Sequence, residues 1–259
     1  SFTPYAGAVY ELTPSVSLYA SRSEIEKSQS RYLETLAGPT LKPATGSNTE
    51  LGVKVGLAGG KLLASAALFD VRLENEAVYM LWSPTGSNAY CCYQAIGNKS
   101  SRGVDLELNG KLTDEWEVAF GYTFNKNQDR QEGNENFSSV TPRHILKLWS
   151  NHNLGRFVPG LSAGWGVNAQ SANYRSDSVP AYNPASGEFD GDYHAYNIVQ
   201  KKYAVWALRA AYEINPQWTL AANVDNVFDK RYFSTIGYSG YGNFYGEPRK
   251  LTVTLKASY

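Results

Sequence analysis

The sequence has little of what most functional classes require. Its 259 residues include two cysteines, three histidines and one methionine, and 24 basic residues balance 24 acidic ones. A balanced charge gives no basic footprint for nucleic acid. The histidines, His144, His152 and His194, have no metal-motif spacing, and no Ser–His–Asp set has a context suited to a nucleophile. We therefore expect no nucleic-acid partner, no metal site and no catalytic residues.

Long apolar runs are also missing. None approaches the roughly 18 residues of a membrane-spanning helix, but a strand of a membrane barrel needs only about 10 alternating residues. Aromatic residues are abundant instead, at 14% of the chain, with 19 Tyr, 10 Phe and 6 Trp. The absence of apolar runs therefore excludes spanning helices and leaves membrane strands open.

The two cysteines, Cys91 and Cys92, are adjacent. Consecutive Cα atoms lie about 3.8 Å apart across a trans peptide, below the usual disulfide span of about 4.4 Å or more. The pair is either two reduced thiols or a strained vicinal disulfide that braces an exposed loop in an oxidising compartment. We favour the disulfide if this loop is extracellular.

The C-terminal segment, residues 250–259, alternates perfectly between apolar and polar side chains. Its apolar face consists of Leu251, Val253, Leu255, Ala257 and Tyr259. A period of two indicates a strand between two different environments. The segment is either an edge strand of a soluble protein or the closing strand of an outer-membrane barrel. In the barrel, the apolar face would contact lipid and the terminal aromatic residue would lie in the interfacial girdle.

The same alternation recurs upstream and predicts about eleven strands joined in sequence. Short connections near Pro14, Gly59, Thr113, Gly155 and Pro216 alternate with long ones near Thr35, Pro84, Glu132, Pro184 and Tyr241. Outer-membrane barrels have short periplasmic turns and long extracellular loops. We find no 40-residue repeat of the propeller type. The pattern therefore predicts an all-β fold, a transmembrane antiparallel up-and-down β-barrel.

Two segments near the C-terminus are predicted to be long loops. Asn173–Tyr193 is rich in Ser, Asn, Asp, Tyr and Pro, and Asp229–Pro248 is dominated by Gly and aromatic residues. The ninth strand is expected within Tyr196–Glu213, between these loops. Because single-chain bacterial barrels have an even strand number, we expect residues 1–259 to be the C-terminal part of a barrel domain whose preceding portion is absent from this chain.

Two segments near the C-terminus, Asn223–Phe233 and Tyr245–Arg249, precede the alternating terminal strand. Together they resemble the C-terminal signature of TonB-dependent outer-membrane receptors, a family whose ferric-siderophore branch the chain resembles most. The upstream segments that match in the family's order are Pro4–Gly7, Leu18–Ser21, Glu50–Lys54, Arg102–Glu107 and Thr141–His144.

The resemblance implies a barrel of 22 strands, of which this chain would form the C-terminal half, with a plug and a TonB-engaging segment in the missing N-terminal portion. It implies active import of a ferric siderophore across the bacterial outer membrane, driven by the TonB–ExbB–ExbD complex, in contact with outer-membrane lipid. It also implies no enzymatic activity and no resident cofactor, because the siderophore brings its own iron ligands. Within the signature, we expect Asn226 and Asp229 to end a strand through side-chain-to-backbone bonds.

Aromatic residues in the long loops are the candidate ligand contacts. A bulky, partly apolar chelate is buried well by aromatic walls, which favours Tyr79, Trp82, Tyr90, Tyr93 and Tyr241 as siderophore-binding residues. An interfacial girdle and loop self-packing would explain the same residues. Few basic residues, Arg175 among them, lie in these loops, which favours a hydroxamate or mixed-ligand siderophore. The alternative functions are a passive porin or surface adhesin and, more distantly, a soluble lectin-like sandwich.

Overall fold

The chain folds almost entirely into β-strands in the computed structural model, which describes residues 2–34, 39–79, 92–129 and 139–258. The strands are β1 Tyr5–Thr13, β2 Val16–Lys27, β3 Ala44–Leu57, β4 Leu62–Tyr79, β5 Tyr93–Lys111, β6 Trp116–Asp129, β7 His144–Asn153, β8 Leu161–Gln170, β9 Asn173–Pro180, β10 Tyr193–Gln200, β11 Tyr203–Asn215, β12 Trp218–Asp225, β13 Phe233–Thr235, β14 Phe244–Tyr245 and β15 Lys250–Ala257. Among the described residues, no helix is both long and apolar enough to cross a membrane.

Eleven of these strands form one antiparallel sheet in the order β1-β2-β3-β4-β5-β6-β7-β8-β11-β12-β15. The prediction of about eleven strands in one meander is therefore confirmed. Short connections follow β1, β3, β5, β7 and β11, and long ones follow β2, β4, β6, β8 and β12. The predicted alternation of loop lengths is also found.

The chain divides into two compact units. The first comprises Ser1–Val55, Ser65–Asp105 and Phe124–Ser138, and the second comprises Gly56–Ala64, Leu106–Thr123 and Ser139–Tyr259.

In the first unit, β2 and β3 illustrate how the sequence divides the sheet into two faces. Leu18 is paired with Val53 and Ala20 with Leu51, which gives an apolar face with exposed side chains. The alternate residues form a polar face, where Tyr19 is paired with Gly52. The Tyr19 ring lies across this glycine, because a Cβ there would lie only 2.5 Å from ring carbons.

In the second unit, a row of apolar side chains crosses four strands. Trp165 of β8 is opposite Leu208 of β11, which is opposite Val224 of β12, which is opposite Leu251 of β15. Leu208 is 48% exposed and Leu251 is 65% exposed. The side chains of this row therefore meet the surroundings rather than a second layer of the described protein.

The polar face of the second unit contains a tryptophan packed against glycines. A Cβ at Gly166 would lie 2.4 Å from Cε3 of Trp149, and a Cβ at Gly164 would lie 2.9 Å from Cζ2 of the same ring. The indole of β7 therefore lies across two residues of β8 that have no side chain. A depression of about 520 Å³ adjoins it, and Lys147 and Asp225 are among its lining residues.

The two predicted C-terminal loops contain additional strands. Asn173–Tyr193 was expected to be irregular, but β9 pairs with β10 over eight residues, from Asn173 opposite Gln200 to Pro180 opposite Tyr193. The segment expected to hold one ninth strand is accordingly two strands, β10 and β11, separated by Lys201 and Lys202. Within the last loop, β13 pairs with β14.

Candidate ligand-binding loops

Three tyrosines meet at the ends of strands in the first unit. Tyr79 is the last residue of β4 and Tyr93 the first residue of β5, and their rings lie edge to face with centroids 5.4 Å apart. Tyr32, from the connection after β2, lies 4.6 Å from Tyr93. Arg31 places its guanidinium 4.9 Å from the centre of the Tyr32 ring. We refer to Tyr32, Tyr79 and Tyr93 as the first tyrosine cluster.

A buried glutamine positions the connection that carries Tyr32. Gln29 is 3% exposed. Its Nε2 donates to the carbonyl oxygens of Lys42, at 2.8 Å, and Asn75, at 2.7 Å, and its Oε1 accepts from the N–H of Ala77 at 2.6 Å. The Gln29 side chain therefore links the connection after β2 to the backbone of β4. Buried backbone N–H and carbonyl groups require hydrogen-bond partners, and here the glutamine amide supplies them.

Backbone hydrogen bonds complete the same arrangement. The N–H of Tyr93 donates to the carbonyl of Leu33 at 2.9 Å, and that of Leu41 donates to the carbonyl of Tyr32 at 3.0 Å. The first tyrosine cluster is thus held from both sides, and Tyr79 remains 47% exposed. Rings fixed in this way present apolar area to a ligand with little loss of side-chain entropy.

In the second unit, a tight turn presents two stacked tyrosines. Tyr238 and Tyr241 have ring centroids 4.9 Å apart at an interplanar angle of 26°. The N–H of Tyr238 donates to the carbonyl of Tyr241 at 2.8 Å, which closes the turn. A Cβ at Gly237 would lie 2.4 Å from the carbonyl oxygen of Tyr241, so this close approach requires glycine. Tyr241 is 68% exposed.

Strands β9 and β10 pack against this turn. The guanidinium of Arg175, on β9, lies 3.6 Å from the centre of the Tyr238 ring. The N–H of Ser239 donates to the hydroxyl of Tyr196, on β10, at 3.2 Å. Nε of Arg175 is buried and has no hydrogen-bond partner among the described residues. Tyr238, Tyr241 and Arg175 together form the second tyrosine cluster, which combines aromatic surface with one cation.

The base of the last loop is closed by Asn226 and Asp229. Asn226 accepts at Oδ1 from the N–H of Lys230, at 2.8 Å, and donates from Nδ2 to the carbonyls of Lys230, at 3.0 Å, and Glu247, at 2.9 Å. Asp229 accepts from the N–H of Arg249 at 2.9 Å. The expectation of a strand-ending bond to nearby backbone is confirmed for Asn226, which also joins the two ends of the loop. Asp229 does bond to backbone, but its partner Arg249 is 20 residues away and directly precedes β15, so this bond closes the loop.

The predicted site residues are distributed as follows. Tyr79 and Tyr93 lie together in the first tyrosine cluster, and Tyr241 lies in the second. Trp82, Tyr90 and Cys91 lie outside the described residues. Cys92 is buried and disulfide-bonded; its pairing with Cys91 stays a prediction.

Sequence reasoning did not include Tyr32, Gln29 or Arg175 among the site residues. Tyr32 carried a usable signal, because it is an aromatic residue within a polar connection. The roles of Gln29 and Arg175 depend on partners distant in sequence, so the sequence offered no signal for them.

Two of the three histidines, His144 and His152, have side-chain partners. His144 Nδ1 lies 2.8 Å from the Tyr122 hydroxyl. His152 Nε2 lies 2.9 Å from Oγ of Ser150, which accepts at 2.9 Å from the Trp116 indole N–H. Ser150 is only 1% exposed, so its hydroxyl cannot reach a substrate. Within the described ranges, no group of three or more His, Cys, Asp or Glu side chains is arranged to hold a metal ion.

The faces and connections together define a class of protein. On one face of β11, every second residue from Ala204 to Ile214 is exposed and either apolar or aromatic: Ala204, Trp206, Leu208, Ala210, Tyr212 and Ile214. Ten residue steps of about 3.3 Å, tilted by about 40° as in outer-membrane barrels, span about 25 Å, which matches the apolar band of such barrels. An apolar band of this height, with long aromatic loops at alternate strand connections, defines an outer-membrane β-barrel of the receptor type.

Comparison with known proteins gives the family. Residues 1–227 match the family model described as TonB dependent receptor-like, beta-barrel. The chain therefore belongs to the TonB-dependent receptor β-barrel family, whose members are outer-membrane receptors and not enzymes.

Relatives and solved structures agree with this assignment. The chain is 34% identical to the ferric-pyoverdine M114 receptor PbuA of Pseudomonas sp. (strain M114), covering 99% of this chain and 29% of that protein. It is 30% identical to the ferripyoverdine receptor of Pseudomonas aeruginosa, covering 98% of this chain and 30% of that protein. It superimposes on FpvAI in its complex with pyocin S2 with a TM-score of 0.83 at 29% identity, covering 99% of this chain and 33% of that one. The chain thus spans less than a third of the length of these two curated relatives.

Proposed function

We propose that the protein containing this chain binds a ferric siderophore at its extracellular loops and imports it across the outer membrane. The observation that carries the proposal is the presence of mutually packed, solvent-accessible tyrosines at the ends of β4 and β5 and in the turn between β13 and β14. Tyr79 and Tyr93 in the first cluster, and Tyr238 and Tyr241 in the second, offer rigid aromatic surface of the kind that buries a bulky chelate. Relatives named as ferric-pyoverdine and catecholate siderophore receptors support the cargo class.

The favoured ligand is a hydroxamate or mixed-ligand siderophore. Two arginines accompany the described aromatic clusters: Arg31 lies over the Tyr32 ring of the first cluster, and Arg175 belongs to the second cluster and lies over Tyr238. A highly anionic catecholate complex would call for more cations than this. Trp82 and Tyr90 remain proposed members of the binding surface on sequence grounds.

Energy for transport would come from TonB with ExbB and ExbD, through a segment outside these residues. The chain requires no cofactor under this proposal, because the siderophore itself coordinates the iron as part of the cargo. A passive porin is the competing function, and family membership favours the receptor over it.

The test is a tryptophan-fluorescence titration of the full-length receptor in detergent with a panel of ferric hydroxamate, mixed-ligand and catecholate siderophores. Saturable quenching at sub-micromolar concentration by a hydroxamate or mixed-ligand complex is expected. Equal or tighter binding of catecholates would reject the favoured class, and the absence of saturable binding by any siderophore would reject the function.

Two variants localise the binding surface. Tyr241→Leu removes an exposed ring from the second cluster and should weaken binding by about 10-fold, in the range of a well-packed interface residue. Tyr212→Leu makes the same change on the apolar face of β11 and should leave affinity unchanged. Stable open-channel conductance of the receptor in planar bilayers would instead support the porin.

A further inference from the structure

In the second unit, the hairpin of β9 and β10 meets the large sheet at a short interruption of pairing. The pairing of β8 with β11 ends at Gln170 opposite Tyr203, and the pairing of β9 with β10 begins at Asn173 opposite Gln200. Two residues on each side of the hairpin base lie between these pairs. Because backbone pairing stops and restarts here, the side chains at this level hold the hairpin in place.

The first pair of the hairpin consists of two buried amides. Asn173 is 8% exposed and Gln200 is 6% exposed. Asn173 donates from Nδ2 to the carbonyl of Val140 at 2.6 Å, in the connection between β6 and β7. Gln200 accepts at Oε1 from the N–H of Phe233 at 2.6 Å, in the last loop. Two residues paired across the hairpin therefore bind the backbone of the two neighbouring connections.

Two side chains from the sheet below extend this arrangement. Gln170 donates from Nε2 to Oδ1 of Asn173 at 3.2 Å and accepts at Oε1 from the Tyr203 hydroxyl at 3.0 Å. The ring of Tyr203 packs against that of Tyr232, in the last loop, with centroids 4.4 Å apart. A continuous series of contacts thus joins the β6–β7 connection to the last loop. We refer to its four side chains as the polar junction: Gln170, Asn173, Gln200 and Tyr203.

Ser171, at the same interruption, attaches the start of β7. Its N–H donates to the carbonyl of His144 at 2.9 Å, and its Oγ accepts from the N–H of His144 at 3.1 Å. His144 is the first residue of β7. The end of the β6–β7 connection is therefore held at the hairpin base through both Val140 and His144, and exchange of the His144 amide reports on this attachment.

The same hairpin also contacts the second tyrosine cluster. Arg175 of β9 lies over the Tyr238 ring, and the hydroxyl of Tyr196 on β10 accepts from the N–H of Ser239. Arg175 and Tyr196 lie within four residues of the polar junction along the chain. A displacement of the hairpin at its base would therefore displace the tyrosines. Buried amides require their partners, so the junction has few alternative arrangements.

We propose that Asn173 and Gln200 are positioning residues through which the β6–β7 connection, the β9–β10 hairpin and the last loop respond together to a ligand at the second tyrosine cluster. The inference rests on the proposed siderophore binding. A ligand that orders the last loop stabilises the hydrogen bond between Gln200 and Phe233. The polar junction extends this order to Val140, because ordering of one partner lowers the entropic cost of ordering the next.

The first test measures hydrogen exchange at the amides of His144 and Phe233 in the ligand-free full-length receptor in detergent. Asn173→Leu should accelerate exchange at Phe233 as well as at His144, by about 3-fold or more, as expected for members of one coupled network. Gln200→Met should likewise accelerate exchange at both amides. Asn197→Leu makes the asparagine change at an exposed position of β10 and should leave both amides unchanged.

The second test adds the ferric hydroxamate or mixed-ligand siderophore that quenches tryptophan fluorescence in the titration above. In wild type, saturation should slow exchange at both His144 and Phe233. In Asn173→Leu, it should still slow exchange at Phe233 but no longer at His144, a selective loss that a purely structural role would not produce.

The two tests separate failure of the inference from failure of the proposed function. Acceleration confined to the amide nearest each substitution, or ligand protection of His144 that survives in Asn173→Leu, would overturn the inference. Absence of binding by any siderophore would reject the proposed function and the ligand response. Acceleration of both amides by both variants in the ligand-free receptor would even then support the positioning role of Asn173 and Gln200.

Discussion

The guanidinium of Arg175 stacks on the ring of Tyr238 at 3.6 Å from its centre, which joins β9 to the last loop. Substituting Arg175 by Ala removes this contact and frees the turn that presents Tyr241. We expect siderophore affinity of the full-length receptor to fall about 10-fold, because a desolvated cation–π contact contributes up to about 2 kcal/mol. Arg231→Ala removes an exposed arginine near the base of the same loop and should have little effect. Equal losses in the two variants would contradict a specific role for Arg175.

Gln29 should control the opening of the connection that carries Tyr32. Gln29→Ala leaves the Ala77 N–H and two carbonyls without their partner, at a cost of about 1–3 kcal/mol for each buried group left unpaired. Hydrogen exchange of the Ala77 amide should therefore accelerate by at least about 10-fold, measured on the full-length receptor. Ser30→Ala, at an exposed neighbouring position, should leave exchange unchanged. Protection of Ala77 that survives in Gln29→Ala would refute the role.

Asn226 combines hydrogen bonds with a left-handed backbone, at φ of 48°. Asn226→Ala and Asn226→Gly lose the same side-chain bonds, but only alanine also suffers the left-handed strain. We expect the alanine variant to be less stable than the glycine variant by about 1–2 kcal/mol. Denaturant unfolding of the receptor in detergent gives the comparison. A glycine variant as unstable as the alanine variant would indicate that the conformation contributes nothing.

Gly166 should be intolerant of even one methyl group. Gly166→Ala would place Cβ 2.4 Å from Trp149 and 3.0 Å from the carbonyl oxygen of Leu148. Overpacking of this kind costs about 1–3 kcal/mol, so the thermal midpoint should fall and tryptophan emission should shift. Gly121→Ala is the matched control, because its added Cβ meets no described atom within 4 Å. Equal behaviour of the two variants would rule out the packing explanation.

The exposed pair Lys61–Asp114, with Nζ 2.7 Å from Oδ1, gives a pH-dependent prediction. The hydrogen bond from Lys61 holds the pKa of Asp114 below its ordinary value of 3.8, and the reciprocal bond raises the pKa of Lys61 above 10.5. Because the folded pKa of Asp114 lies below its unfolded value, the stabilisation is present above the unfolded pKa and is lost as pH falls through the folded pKa. Lys61 contributes below 10.5 and loses its contribution at higher pH.

The measurement compares thermal midpoints of wild type and Asp114→Asn. A small difference is expected at about pH 7 in low salt. It should disappear as the pH falls through the lowered pKa of Asp114, and also in about 1 M salt, because exposed pairs are screened. Glu115→Gln, at an adjacent exposed carboxylate, should show no such dependence. A difference that persists in high salt would point to something other than the ion pair.

The positions of strands whose two faces meet different surroundings could be predicted from the sequence. β15 is Lys250–Ala257, almost the predicted segment, because lipid-facing and inward-facing positions differ sharply in polarity. β9 and β10 were missed because both faces of this hairpin carry polar residues, such as Ser176, Asp177 and Ser178, so no hydrophobic period appears. β5 likewise begins at Tyr93, although only its part from Val104 onward alternates clearly.

The sequence predicts which types of residue line the candidate site better than it predicts how their side chains are arranged. Loop tyrosines are visible in the sequence, and three of the five proposed ligand contacts lie in tyrosine clusters. Which rings meet depends on contacts such as Gln29 with Asn75, 46 positions apart, and Arg175 with Tyr238. Nothing local in the sequence encodes those partners.

Because Asn226 and Asp229 close the last loop at its base, the residues that hold the loop ends together differ from the residues of the segment between those ends. Glu247 and Arg249 are tied to residues at the end of β12, so the spacing of the two flanking strands is set outside the segment between Phe233 and Tyr245. That segment can be exchanged as a cassette while the barrel strands keep their register. A segment with a different ligand preference could therefore be grafted between Phe233 and Tyr245 without redesigning the membrane-embedded strands.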